Sequence, residues 1–414
     1  MKVLSQEEAK FLDSWAETTL GIPRIALMET AGAKVAEVTL REVKLVESAC
    51  IVAGKGWNAG DGFVSARYLK NSGVDVNIVF LYSKDEIKDE ARINLNIAEK
   101  MGIPIYDVKE LKRALKDVDV VIDAIFGIGF KGEAEGSLAE AIETINEGRS
   151  LYTIVSIDTP SGLDVGEGRV SKHCIKANIT VTLSFPKIGL LQYPGIEHAG
   201  KIVIVDIGIP KINPLNPPVK KEEEKKAKKE GLNIITPDIV HSIIPKRPVL
   251  THKGTFGEVL VIASSPGMTG AATLCGRGAL RVGAGLVRIA VPISLRETVD
   301  SESLETITIG LPETADGTIS MRAFEAILEL LKESDGLAIG PGIGRQPETA
   351  KLIQSIVSYA KEKGIKTVID ADAIFALRDK KEAILGSHGG IILTPHPGEL
   401  SYFLNMEIEE IQKN

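Results

Sequence analysis

ACIVAGKGWNAGDGFVSARYLKN, residues 49–71, decides the fold. Residues 49–53 form an uninterrupted small and β-branched run, the pattern of a strand buried on both faces. Glycines at 54, 56, 60 and 62 follow, a density that permits a tight turn and close approach to a ligand. Across residues 61–71 the apolar side chains recur at three-to-four spacing, as on a helix lying over a sheet. Strand, glycine turn and helix make one βα unit, and N–H groups at such a helix start suit a phosphate. The terminal G-K-[ST] of a Walker A loop is missing.

The same alternation runs outward in both directions. Residues 74–81, 118–125, 153–157, 179–185 and 201–206 read as further strands, with helices at 85–100 and 137–146 and a helical pair, 5–18 and 25–45, ahead of the first strand. Alternation of this kind predicts an α/β fold with a mostly parallel sheet covered on both faces. At 211–231 the composition changes to KINPLNPPVKKEEEKKAKKEG, a charged linker signature. Beyond it, strands at 259–263, 286–291, 336–339, 367–370 and 391–393, with helices at 269–282 and after Pro347, predict a second α/β domain. The expected division is 1–210, linker 211–231, and 232–414.

A chain of 414 residues exceeds what one core usually supports, in keeping with two domains. Its net charge of −7 gives no general attraction to nucleic acid. No apolar run approaches a membrane span, and Glu7, Glu8 and Asp13 interrupt the start where a signal peptide would be apolar, so a cytoplasmic protein without membrane partners is expected. Cys50, Cys174 and Cys275 have neither disulfide nor zinc spacing. A homo-oligomer is the default assembly.

In open parallel sheets ligands gather at the carboxyl ends of strands. Three such exits carry chemistry. Besides residues 54–62, VVIDAIFGIGFKGE (120–133) holds Asp123 and sets Gly127, Gly129 and Gly132 in GxGxxG register. That register comes late in the domain, without the ribose-reading acid of a dinucleotide fold, which discounts an ordinary dehydrogenase. IVSIDTPSGLD (154–164) runs into Asp158 and Ser161. Asn58, Asp123 and Ser161 offer an amide, a carboxylate and a hydroxyl, hard donors for an alkali or alkaline-earth cation. Asp158 is left free to move a proton.

GKGWNAGDG, DAIFGIGFKGE, SIDTPSGLD and TLSFPKIGLLQYPG, in that order, resemble the NAD(P)H-hydrate epimerase family across the first half. The resemblance implies a Rossmann-like three-layer sandwich that interconverts the R and S epimers of NAD(P)HX, which carries a hydroxyl on C6 of the reduced nicotinamide ring. It implies K+ held by Asn58, Asp123 and Ser161. It also implies substrate contacts from Asn58, Ala59, Gly60 and Asp61, from Gly127, Ile128, Gly129, Phe130, Lys131, Gly132 and Glu133, and from Asp158, the expected general acid/base. Trp57 and Ala59 stand where the family shows an asparagine and a glycine.

In the second half, HKGTFGEVLVIASSPGMTGAATLCG from His252, AIGPGIGR (338–345), VIDADAIFAL (368–377) and ILTPHPGEL (391–400) resemble the ADP- or ATP-dependent NAD(P)H-hydrate dehydratases, a ribokinase-like fold. That likeness implies NAD(P)HX contacts from Ala271, Gly344 and His396, and phosphoryl transfer from ADP or ATP with Mg2+ as the accompanying ion. The family's GxGD segment and the lysine stretch after HPGE do not occur in these 414 residues, so an incomplete domain with lacking or impaired dehydratase activity is expected. The missing GxGD also argues against a ribokinase-type sugar kinase. A non-catalytic nucleotide- or protein-binding scaffold is the other alternative, and the polar cluster of Asn58, Asp123, Asp158 and Ser161 argues against it.

Overall fold

A computed structural model describes residues 1–87, 89–166, 168–210, 232–244, 246–387 and 389–413. The expected linker, 211–231, lies outside the described residues. Contacts divide the chain into Met1–Ile244 and Pro245–Asn414. Residues 232–244, grouped by composition with the second domain, fall in the first unit: the N–H of Val3 donates to Leu232 O at 2.8 Å and that of Ile234 to Met1 O at 2.7 Å.

The first unit is built on seven parallel strands, β1 (Ser48–Ala53), β2 (Asp75–Phe80), β3 (Ile105–Asp107), β4 (Val120–Ala124), β5 (Thr153–Ile157), β6 (Ile179–Leu183) and β7 (Lys201–Val205). Their order is β3-β2-β1-β4-β5-β6-β7, so the direction of winding reverses between β1 and β4. Every residue of β4 is buried, because helices cover both faces and a parallel sheet of this kind excludes water from each. One face packs Leu12, Val35, Phe63 and Leu95 into a core, the other Leu111, Ile142 and Ile145.

Three helices matter for the site: α1 (Gln6–Thr18), α2 (Arg24–Glu42) and α3 (Trp57–Asn71). A capping box of Ser5 and Glu8 starts α1. Ahead of it, Leu4 bridges the Pro186–Ile188 segment in parallel: its N–H donates to Pro186 O at 2.9 Å and its carbonyl accepts from the N–H of Ile188 at 3.0 Å. The chain start is thereby laid across the carboxyl end of the sheet.

The second unit repeats the plan with six parallel strands, β8 (Glu258–Ile262), β9 (Leu286–Pro292), β10 (Ile307–Leu311), β11 (Gly336–Ile339), β12 (Lys366–Ile369) and β13 (Ile391–Leu393). Their order, β10-β9-β8-β11-β12-β13, reverses between β8 and β11. Leu260, Ile339, Leu352, Ile356 and Ile369 are among its fully buried core residues.

Candidate functional site

The reversal between β1 and β4 opens a crevice at their carboxyl ends, where ligands bind in sheets of this order. Gly54 makes the crevice possible, since a Cβ there would stand 2.1 Å from the Ile125 carbonyl oxygen. Helix α3 starts at Trp57, four residues before the start expected from the sequence. Its first turn therefore carries Asn58 and Asp61, three apart and on one face. Ala59 belongs to the apolar core, and a Cβ on Gly60 would stand 2.4 Å from Met28 Sδ, so these two pack against the protein.

Asn58, Asp123 and Ser161, read as cation ligands, converge on Phe126. Asn58 Nδ2 donates to Phe126 O at 2.8 Å, and the Phe126 N–H donates to Ser161 Oγ at 2.8 Å. Ser161 Oγ donates to Asp123 Oδ1 at 2.5 Å, while the Ser161 N–H and the Ser156 hydroxyl donate to Oδ2 at 2.9 and 2.7 Å. Asp123 has 0% exposure and forms no ion pair among the described residues. Burial lifts its carboxyl above the ordinary carboxylate value against these hydrogen bonds. No group of three or more His, Cys, Asp or Glu able to hold a metal occurs among the described residues.

Asp158 leaves β5 at φ +62, with the Thr159 N–H donating across it to Ile157 O at 2.7 Å. Ser184 leaves β6 in the same way, at φ +61 with Phe185 N–H to Leu183 O at 2.7 Å. Three-residue turns of this hand are strained and persist where the surroundings over-determine them. Here the determinant is a side-chain network: Asp158 Oδ1 accepts from the Leu183 N–H at 2.9 Å, from Thr182 Oγ1 at 3.2 Å and from the ammonium of Lys187.

Next to this network lies a small cavity of about 80 Å³ lined by Asp13, Arg24, Met28, Trp57, Asp61 and Leu183 among others. Burial first, then Asp158, raises the Asp13 carboxyl to about 6, against the lowering pull of Lys187 and Arg24. Burial, then Asp158 and Asp13, holds the Asp61 carboxyl well above the ordinary range. Half-exposed Trp57 carries the Arg24 guanidinium 3.9 Å above its ring. Sequence reading missed Lys187 and Asp13. The available signal for Lys187 was its place among Phe185, Pro186 and Ile188, just past a strand exit.

The loop after β4 turns through a Phe130 N–H to Gly127 O bond of 3.1 Å, with the Phe126 and Phe130 rings 4.8 Å apart. Gly127 and Ile128 lie inward, the latter accepting from Gln6 Nε2, whereas Gly129, Lys131 and Gly132 are exposed. Glu133 is turned to Lys172 and Ser171, whose N–H and hydroxyl each reach its carboxylate at 2.8 Å and hold it below its ordinary pKa.

In the second unit, Ala271 and Gly344 belong to the segments that follow β8 and β11, at the reversal between those strands. A Cβ on Gly342 would stand 3.1 Å from Ala271 Cβ, and Ser265, which donates to Gly342 O at 2.8 Å, flanks Gly344. Asp372 fixes the loop by accepting from the Gly344 N–H at 3.1 Å and from Arg345 Nε at 2.6 Å. His396 leaves β13 and caps the helix Pro397–Leu404, its Nδ1 accepting from the Gly398 N–H at 3.1 Å. No hydrogen bond or ion pair among the described residues joins it to Ala271 or Gly344.

Two family models match the chain: that of the YjeF-related protein N-terminus over residues 24–189 and that of NAD(P)H-hydrate dehydratase over residues 259–414. The bifunctional NAD(P)H-hydrate repair enzyme of Moorella thermoacetica is 38% identical over 425 residues, covering 100% of this chain and 77% of its own length. That of Thermofilum pendens is 35% identical and covers 100% of this chain and 76% of its own length. A solved structure of the ADP/ATP-dependent NAD(P)H-hydrate dehydratase from Bacillus subtilis aligns at 26% identity over 43% of this chain and 58% of its own, with a TM-score of 0.34. With two winding reversals, one in each matched region, and relatives of this identity along its whole length, the chain belongs to the family of bifunctional NAD(P)H-hydrate repair enzymes.

Proposed function

We propose that the first unit interconverts R- and S-NAD(P)HX and that the second dehydrates the S epimer to NAD(P)H at the expense of ADP or ATP with Mg2+. The observation that carries the first assignment is the meeting of three strand exits, β1, β4 and β5, around Phe126, with Asp158 beside them. In this reading residues 1–210 are the epimerase domain, residues 232–244 go with that unit, and the dehydratase domain is the remainder beyond Ile244; the setting is cytoplasmic, where the NAD(P)H pool would supply the substrate. A homo-oligomer is the expected state.

Asp158 is the acid/base of the epimerisation. Its Oδ1 is taken by Lys187, Thr182 and Leu183, and Oδ2 has no protein donor among the described residues, so Oδ2 is the oxygen that exchanges a proton with substrate or water. Asn58 and Asp61, and Gly127 and Ile128 across the crevice, are the substrate contacts best placed to act. The stretch of exposed Gly129, Lys131 and Gly132 around half-buried Phe130 would cover the substrate from the other loop. In the second unit Ala271, Gly344 and His396 contact the epimer to be dehydrated.

The donors around Phe126 fit a potassium ion. Asp123 is a fully buried carboxylate without a cationic partner among the described residues, and Asn58 Oδ1 accepts no hydrogen bond there. Asn58, Asp123 and Ser161 would hold the ion, which supplies positive charge to offset Asp123 and to attract substrate phosphate.

The test is to supply the purified R epimer of NADHX, with and without ATP or ADP, and to follow both epimers and NADH by chromatography. Growth of the S epimer without nucleotide is the expected result for the first unit, and NADH appearing only with nucleotide would overturn the impairment of the dehydratase expected from the missing GxGD segment. No change in either would favour a binding scaffold.

A further inference from the structure

Asp61 has the properties of a reacting group. It is 8% exposed, lines the cavity beside Asp158, and its carboxyl has no hydrogen-bond or ion-pair partner among the described residues. An unpartnered buried carboxyl is costly to keep unless something binds it. Its position is set by topology. Asp61 projects from the helix that follows β1 and Asp158 from the end of β5, and β4 lies between those two strands. Two carboxyls anchored on either side of β4 can meet a bound ring from different sides, as paired carboxyls that exchange protons with a leaving and an entering oxygen must.

We propose that Asp61 is the second catalytic residue of the epimerisation, the proton donor to the departing C6 hydroxyl, with Asp158 the acceptor from the incoming water. This rests on the epimerase reading of the site. The C6–O bond breaks as the proton of Asp61 passes to the hydroxyl oxygen, which leaves as water, and the N1 lone pair forms an N1=C6 double bond. Water adds to the other face, forming a new C6–O bond. Asp158 takes its proton and the π pair returns to N1. One proton has moved from Asp61 to Asp158 and no oxidant is needed. In the opposite direction the two exchange roles, and solvent resets the proton between turnovers.

Protonation of Asp61 fits its surroundings. Asp13 and Glu17 line the cavity from α1 and Arg24 from α2, and the buried pair of Asp158 and Lys187 lies beside it, behind Leu183. Burial first, then the two neighbouring aspartates, raises the carboxyl well above its ordinary range, which favours its acid form.

The experiment runs the whole protein in H2(18)O from each pure epimer, wild type beside Asp61→Asn and Asp61→Glu. Each inversion in the wild type should bring one solvent oxygen to C6. Asp61→Asn keeps the shape of the side chain and removes its acid, so folding and substrate affinity by equilibrium dialysis should hold within about threefold, while turnover falls about 100-fold or more in both directions. Asp61→Glu should recover part of the rate. Retention of the original oxygen on inversion would show ring opening and overturn the proposal, as would an Asp61→Asn variant with wild-type turnover. A wild type that binds NADHX and inverts neither epimer would instead remove the epimerase reading itself.

Discussion

Lys187 places its ammonium on Oδ1 of Asp158, and both side chains are almost sealed from water, at 3% and 11% exposure. The pair links the end of β5 to the segment that Leu4 bridges, so the chain start, the lysine and the carboxylate form one mechanical unit.

Removing one member of a buried pair leaves the other charge unpaired, at a cost of about 3–5 kcal/mol. Lys187→Met and Asp158→Asn should each destabilise the first unit in urea by that order. The double variant should recover much of the loss. Additive losses in the double variant would mean that the pair is not coupled.

Asp158→Asn should also lower epimerisation about 100-fold or more, measured from the pure R epimer. Wild-type activity in this variant would remove the acid/base role from Asp158.

Asp13 gives a pH signature. Its carboxyl titrates at about 6 in the folded chain against 3.8 ordinarily, so between these values the folded state binds more protons and stability falls as pH rises. The cost is fully present above pH 6 and absent below about pH 4. Asp13→Asn should therefore raise Tm at pH 8, by an amount worth at most about 3 kcal/mol, and leave it unchanged at pH 4. An equal gain at both pH values would place the effect elsewhere.

Potassium should protect the first unit. At equal ionic strength Tm should be higher in potassium chloride than in tetramethylammonium chloride, by up to about 2.7 kcal/mol of stability at a hundredfold excess over Kd. Ser161→Ala should lose most of that gain. Identical melting in the two salts would argue against Asn58, Asp123 and Ser161 as ligands.

Gly54→Ala and Gly56→Ala make a matched pair. The first drives a methyl against Ile125 O and should cost about 1–3 kcal/mol or more, with a raised KM as the crevice shifts. The second meets open space and should cost no more than about 1 kcal/mol. Equal effects would mean that the close approach of the two loops is not what Gly54 provides.

The central strands were legible because burial on both faces leaves continuous apolar runs such as residues 49–53 and 120–122. β3, three residues long at the sheet edge, and β10 produced no comparable signal. The start of α3 was placed late because Gly60 and Gly62 read as turn residues, whereas they are helical and let Met28 and Ala124 approach. Asn58, Asp123, Asp158 and Ser161 could be named as candidates from the sequence by their place at strand exits. Asp13 could not, since a charge on an amphipathic helix reads as solvent-facing until the Leu4 bridge carries that helix over the sheet end.

The bridge between Lys2 and Asn233 bears on how the charged run 211–231 can evolve. Ile209, before the run, sits in the core of the first unit, and Leu232, after it, is bonded to Val3 of the same unit. The described residues on either side of the run thus belong to a single body. Between two points fixed on one body, each doubling of the intervening chain length costs only about 0.6 kcal/mol more. Lysines and glutamates can be gained or lost there over generations with little penalty, while the residues that carry the chain onward from the first unit stay the same.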